Sequence, residues 1–251
     1  MTLAIAEQTS GSVKKFVELM NLKARQLGCT NTHFNNPNGL PDEKHYTTAN
    51  DMAKIARAAW FNPTFRKYCT TGYYEIPATN KFSETRYLLN HHKMMSGQAY
   101  AYDGVFGGKT GYTEAAGNTL VTFARRGNMY LVSVVMQSIN GAYSDTKSLL
   151  DYGFNNFSRS AIKAKKEICF SCLPAEKYLI KDYRKCVLFY SMKTPSVALP
   201  NDADTASVKK NYSIQKNPAG RPLLTINYIF NGHQVGTARY YPKNSISDLL
   251  L

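Results

Sequence analysis

With 251 residues, 43% of them hydrophobic and 19% charged, the chain can bury one large core or two of moderate size; wholesale disorder and a disulfide-stapled mini-protein are excluded. The formal net charge of +14 favours anionic partners, but the basic residues are spread through strand-like segments and form no Lys/Arg tract, so nucleic acid is not an expected partner. Residues 159–251 hold 15 of the 31 basic side chains and only 6 of the 17 acidic ones, which concentrates the excess in the last third.

Leu3, Ala4, Ile5 and Ala6 open the chain as an apolar helical stretch with only Thr2 before it as a cap. Val13, Phe16, Val17, Met20, Ala24 and Leu27 then form a helical stripe, closed by Gly28. Asn35 to Gly39 is a dense turn signal, and Thr48 with Asp51 forms a capping box for a helix through Met52, Ile55, Ala56 and Ala59. Asn62-Pro63 is expected to end that helix.

From Gly104 the period changes. The segment Gly104 to Gly111 leads into β-rich runs at Thr119 to Ala124 and Tyr130 to Gln137, with a turn at Arg125 to Asn128, which predicts an antiparallel meander. Leu149, Leu150 and Phe154 place a last helix over Ser144 to Phe154, with Ser144 as its cap. Strands following helices without βαβ alternation make this region α+β. Beyond Ser158 short β runs recur at Glu167 to Cys172, Val187 to Ser191, Asn211 to Gln215, Leu223 to Phe230 and Gln234 to Tyr241, separated by turns such as Asn231-Gly232. They predict a small all-β sandwich.

The five cysteines are odd in number and irregularly spaced, which argues against a disulfide framework. Cys169-x-x-Cys172 has no second pair of ligands, so no metal site is expected, and nothing calls for a cofactor. Met1 is followed by Thr-Leu-Ala-Ile-Ala-Glu, without a basic n-region or a cleavage-type segment, so these residues encode no signal peptide. No apolar run reaches the ~18 residues of a membrane-spanning helix, and Leu249 to Leu251 leave attachment at a membrane surface open.

Lys109-Thr110-Gly111, set in Tyr102 to Asn118 and followed by the hairpin and Lys147 to Phe154, resembles the Lys-Thr-Gly strand of penicillin-recognising serine enzymes. Ser10 to Ser12, Thr30 to Phe34, Asn36 to Leu40, His45 to Thr48 and Asp51 to Ala53 extend the likeness in order and spacing. Over about residues 3–157 the chain thus resembles the D-alanyl-D-alanine carboxypeptidases, the low-molecular-weight penicillin-binding proteins. The resemblance implies a penicillin-binding/β-lactamase-like peptidase domain at 1–157 and a C-terminal β-sandwich domain at 158–251. It further implies a serine hydrolase of peptidoglycan maturation that acts outside the membrane, at the cell wall, on stem peptides ending in D-Ala-D-Ala, with β-lactams as inhibitors.

By that match Lys109 supplies positive charge, Thr110 binds the terminal carboxylate, Gly111 completes the motif, and the Tyr112 backbone N–H is an oxyanion donor. The family's nucleophile and base come from Ser-x-x-Lys, with a second serine from Ser-x-Asn, both upstream of Lys-Thr-Gly. Here the Ser-x-x-Lys strings at Ser12, Ser144 and Ser207 and the Ser-x-Asn at Ser138 each have a structural explanation, so the nucleophile is expected to be absent and the chain inactive alone. An incomplete domain would leave a sheet edge and an apolar face uncovered, and low solubility is expected. The competing reading is a peptidoglycan-binding pseudoenzyme. Residues 137–147 hold no arginine where many relatives place one by the cleft. His91 and His92 are expected to be solvated or locally hydrogen-bonded, and His33 and His45 to be structural.

Overall fold

The computed structural model describes residues 1–139, 141–164, 167–169, 188–191, 193–216 and 222–242, and the chain divides into two compact units, Met1–Asn155 and Asn156–Leu251. The first opens with α1 (Thr2–Ser10) and α2 (Val13–Gln26). Ser12 caps α2 by accepting from the Lys15 N–H at 3.2 Å, and Gly28 closes it at φ 75°, a left-handed turn that costs glycine little.

The loop to α3 (Ala49–Trp60) is pinned by polar side chains, of which Asp51 is buried. Asn21 exchanges two 2.8 Å hydrogen bonds with the Phe34 backbone, and Asn36 Oδ1 accepts from Gly39 and Leu40. Thr48 Oγ1 accepts from the Asp51 N–H as a cap should. The Asp51 carboxylate, however, does not close a reciprocal box: it is 1% exposed and accepts from Asn31 N at 2.8 Å, Thr32 Oγ1 at 2.9 Å and Lys54 Nζ at 2.9 Å. Those donors, the Lys54 ammonium first, hold its carboxyl below the usual range.

Asn62-Pro63 ends α3 as expected and also starts α4 (Pro63–Thr70), because Asn62 Oδ1 accepts from Thr64 N and Phe65 N while Pro63 occupies the position that needs no N–H. A two-stranded hairpin follows, β1 (Tyr73–Ile76) with β2 (Arg86–Leu89). The predicted meander is β3 (Val105–Thr113), β4 (Gly117–Arg126) and β5 (Met129–Val135), an antiparallel sheet in that order. The last helix, α5, runs Ala142–Asn156. Its hydrogen bonds begin with Asp145 N to Gly141 O, so Ser144 lies inside the first turn and does not cap the helix.

β4 is covered on both faces. Leu120 and Ala124 pack with Met94, Met95, Val135 and Leu150, whereas Phe123, on the opposite face, meets Trp60 at 5.2 Å and Phe65 at 6.1 Å between ring centres. Arg126 lies over Tyr102 and Phe154, and the Tyr102 hydroxyl donates to Asp151 at 2.6 Å.

The second unit begins with β6 (Phe157–Ala161), which pairs with β9 (Ser196–Pro200). A five-stranded sheet lies against them in the order β10-β11-β12-β8-β7, from β7 (Glu167–Cys169), β8 (Leu188–Tyr190), β10 (Lys209–Lys216), β11 (Pro222–Phe230) and β12 (His233–Pro242). Asn231 and Gly232 both take positive φ between β11 and β12, the tight turn their residue types favour. Val197 and Leu199 interdigitate with Leu224, Ile226, Tyr228 and Tyr240 to make the core. Cys172 and Cys186 lie outside the described residues.

Leu150 is 1% exposed at the centre of the first core, so Leu150→Ala is expected to cost about 3 kcal/mol in urea unfolding followed by the fluorescence of Trp60, the single tryptophan. A loss below about 1 kcal/mol would contradict this packing.

Candidate functional site

Lys109, Thr110, Gly111 and Tyr112 lie in succession on β3, opposite Val121, Leu120, Thr119 and Asn118 of β4. Among the described strands β3 pairs only with β4, so its other edge is open. Lys109 is exposed, and its Nζ donates to the Thr110 carbonyl. It forms no salt bridge among the described residues. Thr110 is half-buried, and Tyr112 is 68% exposed.

Glycines shape the surface around Lys109. At two residues before it, a methyl on Gly107 would stand 2.5 Å from the Cys69 carbonyl oxygen at the end of α4. At two residues after, a methyl on Gly111 would stand 2.5 Å from Thr119 Oγ1. Because i±2 neighbours share a strand face, Lys109 is the one long side chain over this stretch.

On the opposite face of β3 stands His92. It is 1% exposed, its Nε2 lies 2.9 Å from Thr122 Oγ1, and its Nδ1 is buried without a hydrogen-bond partner among the described residues. A methyl on Gly108 would meet His92 Cδ2 at 2.6 Å. The expectation of a solvated or locally bonded pair is therefore corrected for His92, whose partner is 30 residues away; His91 is exposed. The signal was Gly107-Gly108, since adjacent glycines in a strand mark close approach on both faces. His33 and His45 bond within their own loop, His33 Nδ1 to the Lys44 carbonyl and His45 Nδ1 accepting from Asn35 N.

The serines singled out by the sequence are engaged locally. Ser12 is spent on the α2 cap, and Ser207 ends a 3-10 turn with its hydroxyl donating to Asp204 O at 2.6 Å. The Ser144 carbonyl accepts from Ser148, and the Ser138 hydroxyl donates to Asp145 at 2.5 Å. Asn140 lies outside the described residues. No group of three or more metal-ligating side chains occurs among the described residues.

A family model described as D-alanyl-D-alanine carboxypeptidase matches residues 1–140. The D-alanyl-D-alanine carboxypeptidase DacF of Bacillus subtilis is 30% identical over 218 residues, 86% of this chain and 53% of that protein. DacA of Haemophilus influenzae is 29% identical over 98% of this chain and 61% of its own length. The chain thus spans about half to three fifths of these relatives. Among solved structures, penicillin-binding protein 5 from Haemophilus influenzae aligns over 96% of this chain and 68% of that one, with a TM-score of 0.62 and 27% identity.

Burial pushes the His92 imidazole below its ordinary range. The unfolded chain takes up a proton below about pH 6.5 while the folded one stays neutral, so stability is full above that pH and falls as pH drops through the window beneath it. Unfolding free energy is expected to decline from pH 7.5 to 5.5, and His92→Gln to flatten that slope. An unchanged slope in the variant would refute the assignment.

Proposed function

The chain belongs to the D-alanyl-D-alanine carboxypeptidase family, and on that premise we propose that it carries the substrate-carboxylate side of a serine-type D-Ala-D-Ala carboxypeptidase site. The observation that carries this reading is the exposed Lys109, without a salt bridge among the described residues, between Gly107 and Gly111 on the open edge of β3. A stem peptide ending in D-Ala-D-Ala lies extended along that edge, gaining main-chain hydrogen bonds from β3 as an added strand would. Lys109 attracts its terminal carboxylate, the Thr110 hydroxyl donates to it, Gly111 leaves room for the peptide, and the Tyr112 N–H faces the developing oxyanion.

We place the nucleophilic serine and its lysine outside these 251 residues: of the Ser-x-x-Lys serines, Ser12 caps α2, Ser144 lies in the first turn of α5, Ser207 donates within a 3-10 turn, and Ser160 and Ser213 lie in strands β6 and β10 of the second unit. Acylation forms an ester between that serine and the penultimate D-Ala and releases the last D-Ala; water then cleaves the ester. β-Lactams, which acylate such a serine, inhibit the assembled site. The substrate places the reaction on the extracytoplasmic side, at the wall. No described helix is long and apolar enough to cross a membrane.

Fluorescent penicillin is the test, applied to the 251-residue chain and to a form extended upstream through a Ser-x-x-Lys. A covalent adduct is expected on the extended form alone, and Lys109→Ala in that form slows acylation by about 100-fold or more. An adduct on the shorter chain, mapped to Ser12, Ser144, Ser207 or any other of its serines, would overturn the assignment of the nucleophile. Saturable peptidoglycan binding with no adduct on either form would establish the non-catalytic alternative.

A further inference from the structure

Two jaws close on β3 at the two residues before Lys109. On one face the Cys69 carbonyl oxygen, at the end of α4, stands 2.5 Å from where a Gly107 side chain would begin; on the other, the His92 ring stands 2.6 Å from the corresponding point at Gly108. The jaws come from different parts of the chain, Cys69 before the β1–β2 hairpin and His92 after it. Their spacing decides where β3 sits, so a group that touches both controls the strand. Asn90, directly after β2, is such a group.

Asn90 is half-buried. Its Nδ2 donates to the Thr71 carbonyl at 3.0 Å and to the Cys69 carbonyl at 3.5 Å, while its Oδ1 accepts from the His92 backbone N–H at 3.0 Å. Its own backbone N–H donates to the Gly72 carbonyl at 2.8 Å. The Cys69 oxygen that Asn90 bonds is the one against which Gly107 sits, and the residue it holds by the N–H is the one whose ring fills the Gly108 gap and reaches Thr122 of β4. One side chain thus bonds both jaws, and each jaw is a single contact from β3. The residue type follows from that double role, because a carboxamide carries donor and acceptor on one short planar group. An ionised aspartate would offer no donor to the two carbonyls, and glutamine would carry its amide one methylene too far.

We propose that Asn90 is a positioning residue for the carboxypeptidase site: it sets the spacing between the end of α4 and His92, and through them the placement of Lys109, Thr110 and the Tyr112 N–H along the open edge of β3. The proposal rests on the reading of that edge given above. Asn90 acts through Gly107 and Gly108 and not on the substrate. The leverage is geometric, since a misplacement of about 1 Å at a reacting centre can cost about 100-fold in rate. Satisfying the carbonyls left free at the end of α4 explains half of the arrangement, but that use needs Nδ2 alone and makes no demand on Oδ1 or on the residue that fills the Gly108 gap.

Two measurements test it. In the 251-residue chain, amide hydrogen exchange read by mass spectrometry is expected to quicken about tenfold across Val105–Thr113 in Asn90→Ala, while fragments from α5 and β11 keep their rates. Equal quickening in α5 would make Asn90 a general stabiliser and overturn the proposal. In the form extended upstream through a Ser-x-x-Lys, fluorescent penicillin is expected to label Asn90→Ala to the same final stoichiometry as the unaltered protein but about tenfold more slowly. Asn90→Asp, which keeps the bond from the His92 N–H and loses the donor to Cys69 and Thr71, is expected to label slowly as well and serves where the alanine variant does not fold. A lowered stoichiometry reached at the ordinary rate is the mark of a purely structural role and overturns the proposal. Ordinary labelling by both Asn90 variants while Lys109→Ala is slow overturns the positioning role alone; ordinary labelling by Lys109→Ala too overturns the reading of the edge and this proposal with it.

Discussion

Gly107 and Gly108 stand one and two residues before Lys109, and the first unit depends on the absence of side chains there. Their missing side chains point to opposite faces of β3, and both spaces are filled: Cys69 and Thr70 at the end of α4 on one side, His92 on the other. The strand is gripped from both faces at one point while its edge stays open. Glycine in a strand gives up conformational entropy and packing area, a cost of about 1 kcal/mol at each position. The return is positional: Lys109 and Thr110, which on the proposed reading meet the ligand, are anchored by the two residues before them, on regular structure and not on a loop.

The same grip explains why His92 is buried. An imidazole with an unpartnered Nδ1 is a poor core residue by itself, but the Gly108 gap and the Thr122 hydroxyl across from it define a slot of ring thickness. Local sequence cannot express this, because the slot is built from β3 and β4 together. His91-His92 read alone is a polar pair after Asn90, and its division into one exposed and one buried ring exists only once the meander is formed.

Elsewhere, legibility follows how local the determining contacts are. α2 and α3 are readable because Ser12 and Thr48 cap within three residues, and the β4–β5 hairpin because Gly127 supplies the positive φ of its turn. α4 is missed because Asn62-Pro63 signals both a stop and a start, and only the stop is sought. β1 and β2 are almost wholly exposed and show no inside-outside alternation; β6, Phe-Ser-Arg-Ser-Ala, has little apolar content and is specified by β9, which lies more than 30 residues on. Ser144 looks like a cap because the α5 sequence before it is short and small, yet the helix gains a turn's start from the Gly141 carbonyl. Lys109 to Tyr112 are legible as a site because they are contiguous on one strand. The bonds of Asn90 join the end of α4 to His92 across the whole β1–β2 hairpin, and no linear motif announces them.

The +14 charge takes a physical meaning from what each cation touches. The guanidinium groups of Arg66, Arg86, Arg125 and Arg126 lie over Trp60, Phe82, Tyr130 and the Tyr102–Phe154 pair, so arginine charge is placed on ring faces. Lys54 is held by Asp51. Lys109, Lys163 and Lys210 form no salt bridge among the described residues. In open water each attracts an anion at 4 Å by only about 1 kcal/mol, rising severalfold once the ligand itself excludes water. An exposed lysine thus recruits without discriminating. Discrimination falls, on the proposed reading, to the half-buried Thr110 beside Lys109, which rewards only a ligand atom that can reach and accept its hydrogen.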